Sequence, residues 1–379
     1  MSWLPAALLA LLGFSLLIIL HELGHFFVAR AVGMRVERFS LFLPPIVARY
    51  RPKGSETEYC IGAIPLGGYV KITGMNPQEE MPPEVAHRAY TRQAPWKRIV
   101  VILAGPAVNI VLAFAILTGL VWANGIAPPT AVVGETTPGA PAAGELRPAD
   151  QILSADGQEI FAPGLSVQEG GARIERLMTI VDDHPCPGGE ISGCVAADPV
   201  MLTVAQPGGE PREVVLSPRY DAERDRMLLG FSFVQPEQQA VGPLRAAETS
   251  VDQMWFVTTT TVEVLSQLFF SAEAREQVSG PVGNYEATRQ AFELSTERAV
   301  FLLGLISLSL GLINLFPFLP LDGGHILWAT IEKIRGRAVP FAIMEKSSFV
   351  GIVLIGMLFL LGLNNDIGRI ISGEGFGVR

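Results

Sequence analysis

Residues 3–20 contain no charged side chain, and as a helix they would run about 27 Å, most of the hydrocarbon thickness of a bilayer. In lipid such a stretch must satisfy its backbone polar groups internally, which leaves a helix as the spanning structure. The run passes without a break into His21-Glu22-Leu23-Gly24-His25. Ionisable groups inside an apolar span are costly and mark function by default. His21 and His25, four residues apart, share one helix face, so two imidazoles can grip one metal ion. Glu22 is the neighbour able to take a proton from a water at that metal. The bland alternative is a pair of core histidines beside an incidental glutamate. A cleaved signal peptide also competes for residues 1–30. The segment has no basic start and no evident small-x-small cleavage site, and cleavage would remove or strand the histidines.

Three further stretches, 99–123, 298–330 and 347–364, are apolar enough to cross a membrane. The whole chain of 379 residues is 49% hydrophobic and only 17% charged, with mean hydropathy +0.36, too apolar for an ordinary soluble protein. Between the spans lie a β-patterned segment at 31–98, a soluble domain at 124–226, an amphipathic connector at 227–297 and a short loop at 331–346, with a tail at 365–379. The expected fold class is a mainly α membrane protein. It has four transmembrane helices, a membrane-associated β-hairpin or sheet region and one extracytoplasmic α+β domain. The net charge of −9 is unevenly spread. Residues 30–98 and 331–346 are basic, whereas 124–297 are acidic, and neither pattern is a nucleic-acid footprint. Basic loops stay cytoplasmic. That places the N-terminus, the soluble domain and the C-terminus outside, with the histidines near the cytoplasmic face.

In 31–98, short strands are expected around Val36-Glu37-Arg38-Phe39-Ser40-Leu41-Phe42, Glu58-Tyr59-Cys60-Ile61 and Gly68-Tyr69-Val70-Lys71-Ile72, punctuated by Pro44-Pro45 and Gly67-Gly68. An exposed edge there could pair with an extended peptide, or the sheet could be purely structural. In the second span, Gly105-Pro106 permits close packing and a kink, and Asn109 reads as a structural hydrogen-bonding group. In the soluble domain a helix fits 167–181 and a hairpin joins 201–204 to 213–216. Cys186 and Cys194 bracket a Gly-rich loop. They could close as a disulfide or remain two thiols.

Residues 314–325 read Asn-Leu-Phe-Pro-Phe-Leu-Pro-Leu-Asp-Gly-Gly-His. Two prolines break a helix at membrane depth, which is tolerated only where protein buries the backbone or a cavity is lined. Asp322 is the sole acid between Arg298 and Glu332. A lone buried carboxylate needs a counter-charge, and zinc would supply one. His21, His25 and Asp322 then make the three protein ligands of a catalytic zinc (Zn2+) site. His325 is a weaker alternative ligand.

Taken together, His21-Glu22-Leu23-Gly24-His25, Gly105-Pro106 with Asn109, Pro65-Leu66-Gly67-Gly68-Tyr69-Val70 and Asn314 through Leu321-Asp322-Gly323-Gly324 resemble the site-2 protease family. These are intramembrane zinc metalloproteases, and the likeness is to the bacterial branch with PDZ domains that cuts anti-sigma factors. The soluble domain resembles a bacterial PDZ domain through Pro138-Gly139-Ala140-Pro141-Ala142-Ala143 and Leu146-Arg147-Pro148-Ala149-Asp150-Gln151-Ile152, with Ala149 where glycine is usual. The resemblance implies a multi-pass protein of the bacterial inner membrane acting on single-span membrane proteins or signal-peptide remnants. It implies a substrate-positioning role for Asn314 and places Tyr69 near the substrate path. For the PDZ-like domain a peptide or protein ligand stands beside a sterically gating or purely packing role. One such domain, where better-known members have two, and the Cys186–Cys194 loop depart from the family pattern. A metal transporter or sensor and a non-catalytic PDZ scaffold are the competing readings.

Overall fold

In a computed structural model of the chain, the described residues are 2–372 apart from 77–79, 128–129, 163–166, 188–190, 223–225, 235–236, 269, 272–273 and 276–277. Two compact units result, one of Met1–Leu120 with Ser250–Arg379 and the other of Val121–Thr249.

The first unit is largely helical. Four of its helices hold a stretch long and apolar enough to cross a membrane: α1 (Trp3–Ala31), α2 (Pro95–Asn124), the helix Thr296–Asn314 and the helix Phe341–Ser372. The chain has the make-up of a membrane protein. Pro95 opens α2, where a missing N–H costs nothing, so that helix begins before the apolar run and takes Lys97 and Arg98 into its first turn. The segment expected as one span over 298–330 is two helices, because the backbone turns over residues 315–321. The helix Phe341–Ser372 outruns the expected 347–364 at both ends. Its Phe349, Val350, Ile352, Met357 and Leu360 are exposed, as side chains facing lipid would be.

Two apolar clusters grip α1 on either side of its histidines. Ala6, Ala10 and Leu17 pack with Ala291, Phe292, Ala299 and Leu303. Phe26 and Ala29 pack with Met34, Val36, Phe39, Ile72, Tyr90, Val101 and Ile102. The motif is therefore held in a segment clamped above and below.

The β region is more elaborate than the sequence patterns suggest. Strands β1 (Val36–Tyr50) and β2 (Glu58–Ile72) each contribute twice to the sheet. Residues 36–41 lie between 58–61 and 68–72, with pairs Phe39↔Tyr59 and Phe39↔Val70, while Arg49↔Cys60 and Tyr50↔Tyr59 add residues 48–50 on the far side. Residues 68–72 thus form one edge. No described strand pairs with their outer side.

The second unit holds a four-stranded antiparallel sheet in the order β5 (Gln158–Glu159), β4 (Gln151–Ala155), β6 (Val200–Ala205), β7 (Arg212–Leu216). Strands β3 (Val133–Thr136) and β10 (Phe231–Phe233) form a separate pair, as do β8 (Arg219–Asp221) and β9 (Arg226–Leu228). Alternation along β6 sends Val200, Leu202 and Val204 into a core shared with Ile152, Ile160, Leu177 and Leu216, the period-two pattern of a half-buried strand. Helix α3 (Val167–Asp182) supplies Leu177, Ile180 and Val181 to that core. Cys186 and Cys194 are joined as a disulfide. Ala149 has φ 72, a left-handed conformation that costs a non-glycine residue about 1 kcal/mol. Beside it, fully buried Asp150 accepts from Arg147 N and Arg212 Nη2.

Among the described residues, further α-helices are α4 (Pro243–Gln267), α5 (Pro281–Leu294), α6 (Thr296–Asn314), α7 (Asp322–Arg335) and α8 (Phe341–Ser372). Segment 227–297, expected as one amphipathic connector, thus contains β9, β10, α4 and α5. Buried Asp366 of α8 accepts hydrogen bonds from Gly280 N at 3.0 Å and Gly283 N at 2.7 Å. It caps α5 from a distant helix, satisfying donors that a helix start leaves open.

Candidate metal centre

His25 and Asp322 stand 297 positions apart in the sequence, and the fold brings them together. Asp322 Oδ2 lies 3.2 Å from His21 Nε2 and 3.3 Å from His25 Nε2. The two Nε2 atoms are 3.2 Å apart. Among the described residues, these three side chains form the group of His, Cys, Asp and Glu able to hold a metal ion. Both histidines are 7% exposed, so water does little for the charges.

Local structure explains each placement. His21 and His25 occupy consecutive turns of α1, clear of its fraying ends. Asp322 is the first residue of α7, where the helix dipole favours a carboxylate. The turn before it closes through Phe318 N to Phe316 O, Leu321 N to Phe318 O and Gly324 N to Leu321 O, which satisfies backbone groups away from water. Gly323 is required there, since a Cβ would sit 2.2 Å from Leu315 O.

Helix α2 sets the orientation of both imidazoles. His25 Nδ1 lies 2.9 Å from Val101 O. A carbonyl only accepts, so Nδ1 carries the proton and the Nε2 lone pair is left for the centre. His21 Nδ1 faces the side-chain amide of Asn109 at 3.3 Å. Turned by 180°, that amide presents Oδ1, an atom otherwise without a hydrogen-bond partner, to a protonated Nδ1. Gly105 lets α2 cross directly over the pair: a Cβ there would meet His25 Nε2 at 2.2 Å and His21 Nε2 at 2.8 Å.

These observations test the fit of zinc. With both ring protons on Nδ1, two nitrogen lone pairs and a carboxylate oxygen converge and repel one another. Asp322 Oδ2 is buried without a hydrogen-bond donor. A cation removes the conflict, and two imidazoles with one carboxylate are a donor set that suits zinc while leaving a coordination position open.

The other residues singled out by sequence fall around this centre. Glu22 follows His21 on α1, and a Cβ on Gly68 would come within 3.0 Å of its Cγ, so the sheet edge runs past it. Tyr69 lines a cavity of about 880 Å3 with Lys71, Leu319, His325, Phe349 and Ile352, and its hydroxyl accepts from Arg38 at 3.3 Å. Asn314 ends α6 and donates to Leu310 O at 2.9 Å. His325 lies outside the three-residue cluster. Its ring meets Tyr90 edge-on, with centroids 6.5 Å apart. Sequence reasoning missed the direct contact of Asn109 with His21 and the part played by the Val101 carbonyl. Spacing relative to Gly105-Pro106 is the one signal that could have flagged Asn109. A backbone carbonyl has none.

Comparison with known proteins agrees. The profile of Peptidase family M50 matches residues 9–358. A Nostoc sp. (strain PCC 7120) protein, whose name assigns it provisionally to the zinc metalloproteases, is 32% identical, with 94% of this chain and 93% of that one covered. The Regulator of sigma-E protease RseP of Escherichia coli (strain K12) is 29% identical over 97% of this chain and 99% of its own. Protease RseP of Yersinia pestis is 27% identical over 97% and 99%. With a family profile spanning nearly all of the sequence and relatives matched over nearly their full length that are proteases by name, the chain belongs to peptidase family M50, the site-2 proteases, and is a zinc metalloprotease.

Proposed function

We propose that this protease cuts peptide bonds within or near the transmembrane helices of single-span membrane proteins, with His21, His25 and Asp322 holding zinc and Glu22 handling the proton. One observation carries the site assignment: two Nε2 lone pairs and one orphaned carboxylate oxygen converge within 3.3 Å while both Nδ1 positions are engaged by α2. Zinc, when bound, supplies a Lewis acid that acidifies water and polarises a carbonyl.

Glu22 takes the proton of the attacking water and returns it to the leaving amine. Val101 and Asn109 keep the imidazoles in one tautomer, so neither competes for that proton. A substrate helix hides its peptide bonds in its own hydrogen-bond ladder and must unwind to be cut. The edge at residues 68–72, beside Glu22 and the cavity lined by Tyr69, offers main-chain pairing to the unwound segment. Asn314 is proposed to position the same segment. A relative is named a regulator of sigma-E, which agrees with anti-sigma factors as substrates; signal-peptide remnants are the other proposed substrate class.

The decisive comparison is Glu22→Gln against the unaltered protein in detergent, with a reporter helix as substrate. Zinc content should be unchanged, and the cleavage rate should fall by about 10²–10⁴. Persistent cleavage would remove Glu22 from this role.

We further propose a bacterial inner-membrane location with four crossings. The unit Val121–Thr249 is then an extracytoplasmic PDZ-like domain that binds a peptide or protein ligand, and the zinc lies nearer the cytoplasm. Basic 30–98 and 331–346 support this orientation, and the sheet with α3 and the motif Leu146-Arg147-Pro148-Ala149-Asp150 support the domain type. A phosphatase fused near residue 200 should be active outside the cytoplasm. An inactive fusion made in good yield reverses the orientation.

A further inference from the structure

Beyond the metal centre, one charge pair, a buried arginine with a half-buried glutamate, has no part in the chemistry described so far. Arg98, in the first turn of α2, is 7% exposed, and its Nη2 lies 2.7 Å from Glu332 Oε2 of α7. The guanidinium sits 5.8 Å from the centre of the Tyr90 ring, whose other neighbour is the edge-on His325 ring of α7. Tyr90 is itself buried and tied through its N–H to Thr73 O at 2.9 Å.

The placement of this clasp matters more than its strength. On α7, residues 322, 325, 329 and 332 repeat at helical spacing, so Asp322 and Glu332 share a face about 15 Å apart along a rigid rod. Whatever fixes Glu332 fixes the axis on which Asp322 is carried. On α2, the neighbouring Lys97 Nζ donates to Val32 O at the end of α1, at 3.0 Å. One turn further, Val101 O holds His25. Adjacent residues of one helix therefore reach the two halves of the centre, Lys97 and Val101 the imidazole half and Arg98 the carboxylate half. We infer that Arg98 and Glu332 are positioning residues, which register α7 against α2 and thereby hold Asp322 at coordinating distance from His21 and His25.

This inference rests on the reading of those three residues as zinc ligands, and its test separates the two. Full-length protein in detergent is loaded with cobalt(II), whose visible ligand-field bands report coordination geometry, and zinc extraction by a chelator is timed in parallel. Glu332→Gln should weaken and shift the bands and speed zinc loss about tenfold, the low end of what removing a ligand's direct hydrogen-bond partner costs. The reversed pair Arg98→Glu with Glu332→Arg should bring both back to near wild type. Loss of a merely structural contact would lower the unfolding temperature without altering the bands of the folded protein. Wild-type bands and release in Glu332→Gln, alongside altered bands in Asp322→Asn, overturn the inference. An altered single variant that the reversed pair does not restore also overturns it. Unaltered bands in Asp322→Asn overturn the ligand assignment instead. If Glu332→Gln does not fold, the reversed pair decides: wild-type bands support the registering role, and failure to fold refutes it.

Discussion

On α1 the two imidazoles stand one helical turn apart inside an unbroken helix of 29 residues, whereas Asp322 opens a helix of 14 residues approached through the turns of 315–321. The first arrangement is intrinsic. Any helix over 21–25 brings His21 and His25 to one face, whatever surrounds it. The second is contingent. Asp322 reaches the imidazoles only because Gly323 lets the backbone fold onto Leu315 and because α7 lies where it does against the rest of the unit. A local half and a non-local half thus converge at one cluster, and they should fail differently when perturbed.

The largest expected effect sharpens that contrast. His25→Ala and Asp322→Asn should both lose zinc and stop cleavage, measured by elemental analysis and a reporter helix. In chelator-stripped protein they should part company. His25→Ala also removes the buried hydrogen bond to Val101 O, costing about 0.5–1.5 kcal/mol of stability. Asp322→Asn, nearly isosteric and with no hydrogen-bond donor to lose, should unfold close to the wild-type point. Full zinc retention by Asp322→Asn would break the comparison outright, because the distant half would then contribute nothing.

A smaller effect probes the local half alone. Asn109→Ala leaves both imidazoles on α1 and removes the group facing His21 Nδ1. Zinc affinity, read by competition with a chromogenic chelator, should weaken by about 10–100-fold. An unchanged affinity would mean that helical spacing by itself sets the ring orientation and that α2 adds nothing to it.

How much could be read from residues alone follows the same division. The apolar runs predict helices because lipid permits little else, and the His-Glu-x-x-His spacing predicts a metal-binding face because helix geometry is periodic. The hairpin of β6 and β7 and the helix α3 follow from alternation and from helical period. The β region at 36–72 was only partly legible. Short strands are apparent in the pattern, but the sheet order that leaves 68–72 at an edge beside Glu22 depends on pairings between segments that carry no local mark. In the span expected over 298–330 the two prolines mark a break, and the structure has two helices there. How the second helix leaves the break depends on packing around Gly323 and Gly324, which the prolines do not encode.

The sequence by itself determined that this chain has the apolar runs of a membrane protein, that His21 and His25 face one way, and that Asp322 is a lone acid in an apolar stretch. These follow from solvation and from the repeat of a helix, both local properties. Only the tertiary structure decided that Asp322 meets those imidazoles, that Asn109 and Val101 orient them, and that Arg98 and Glu332 join the helices carrying the two halves. Such contacts join residues far apart in the chain, and their geometry is set by packing that no short stretch encodes.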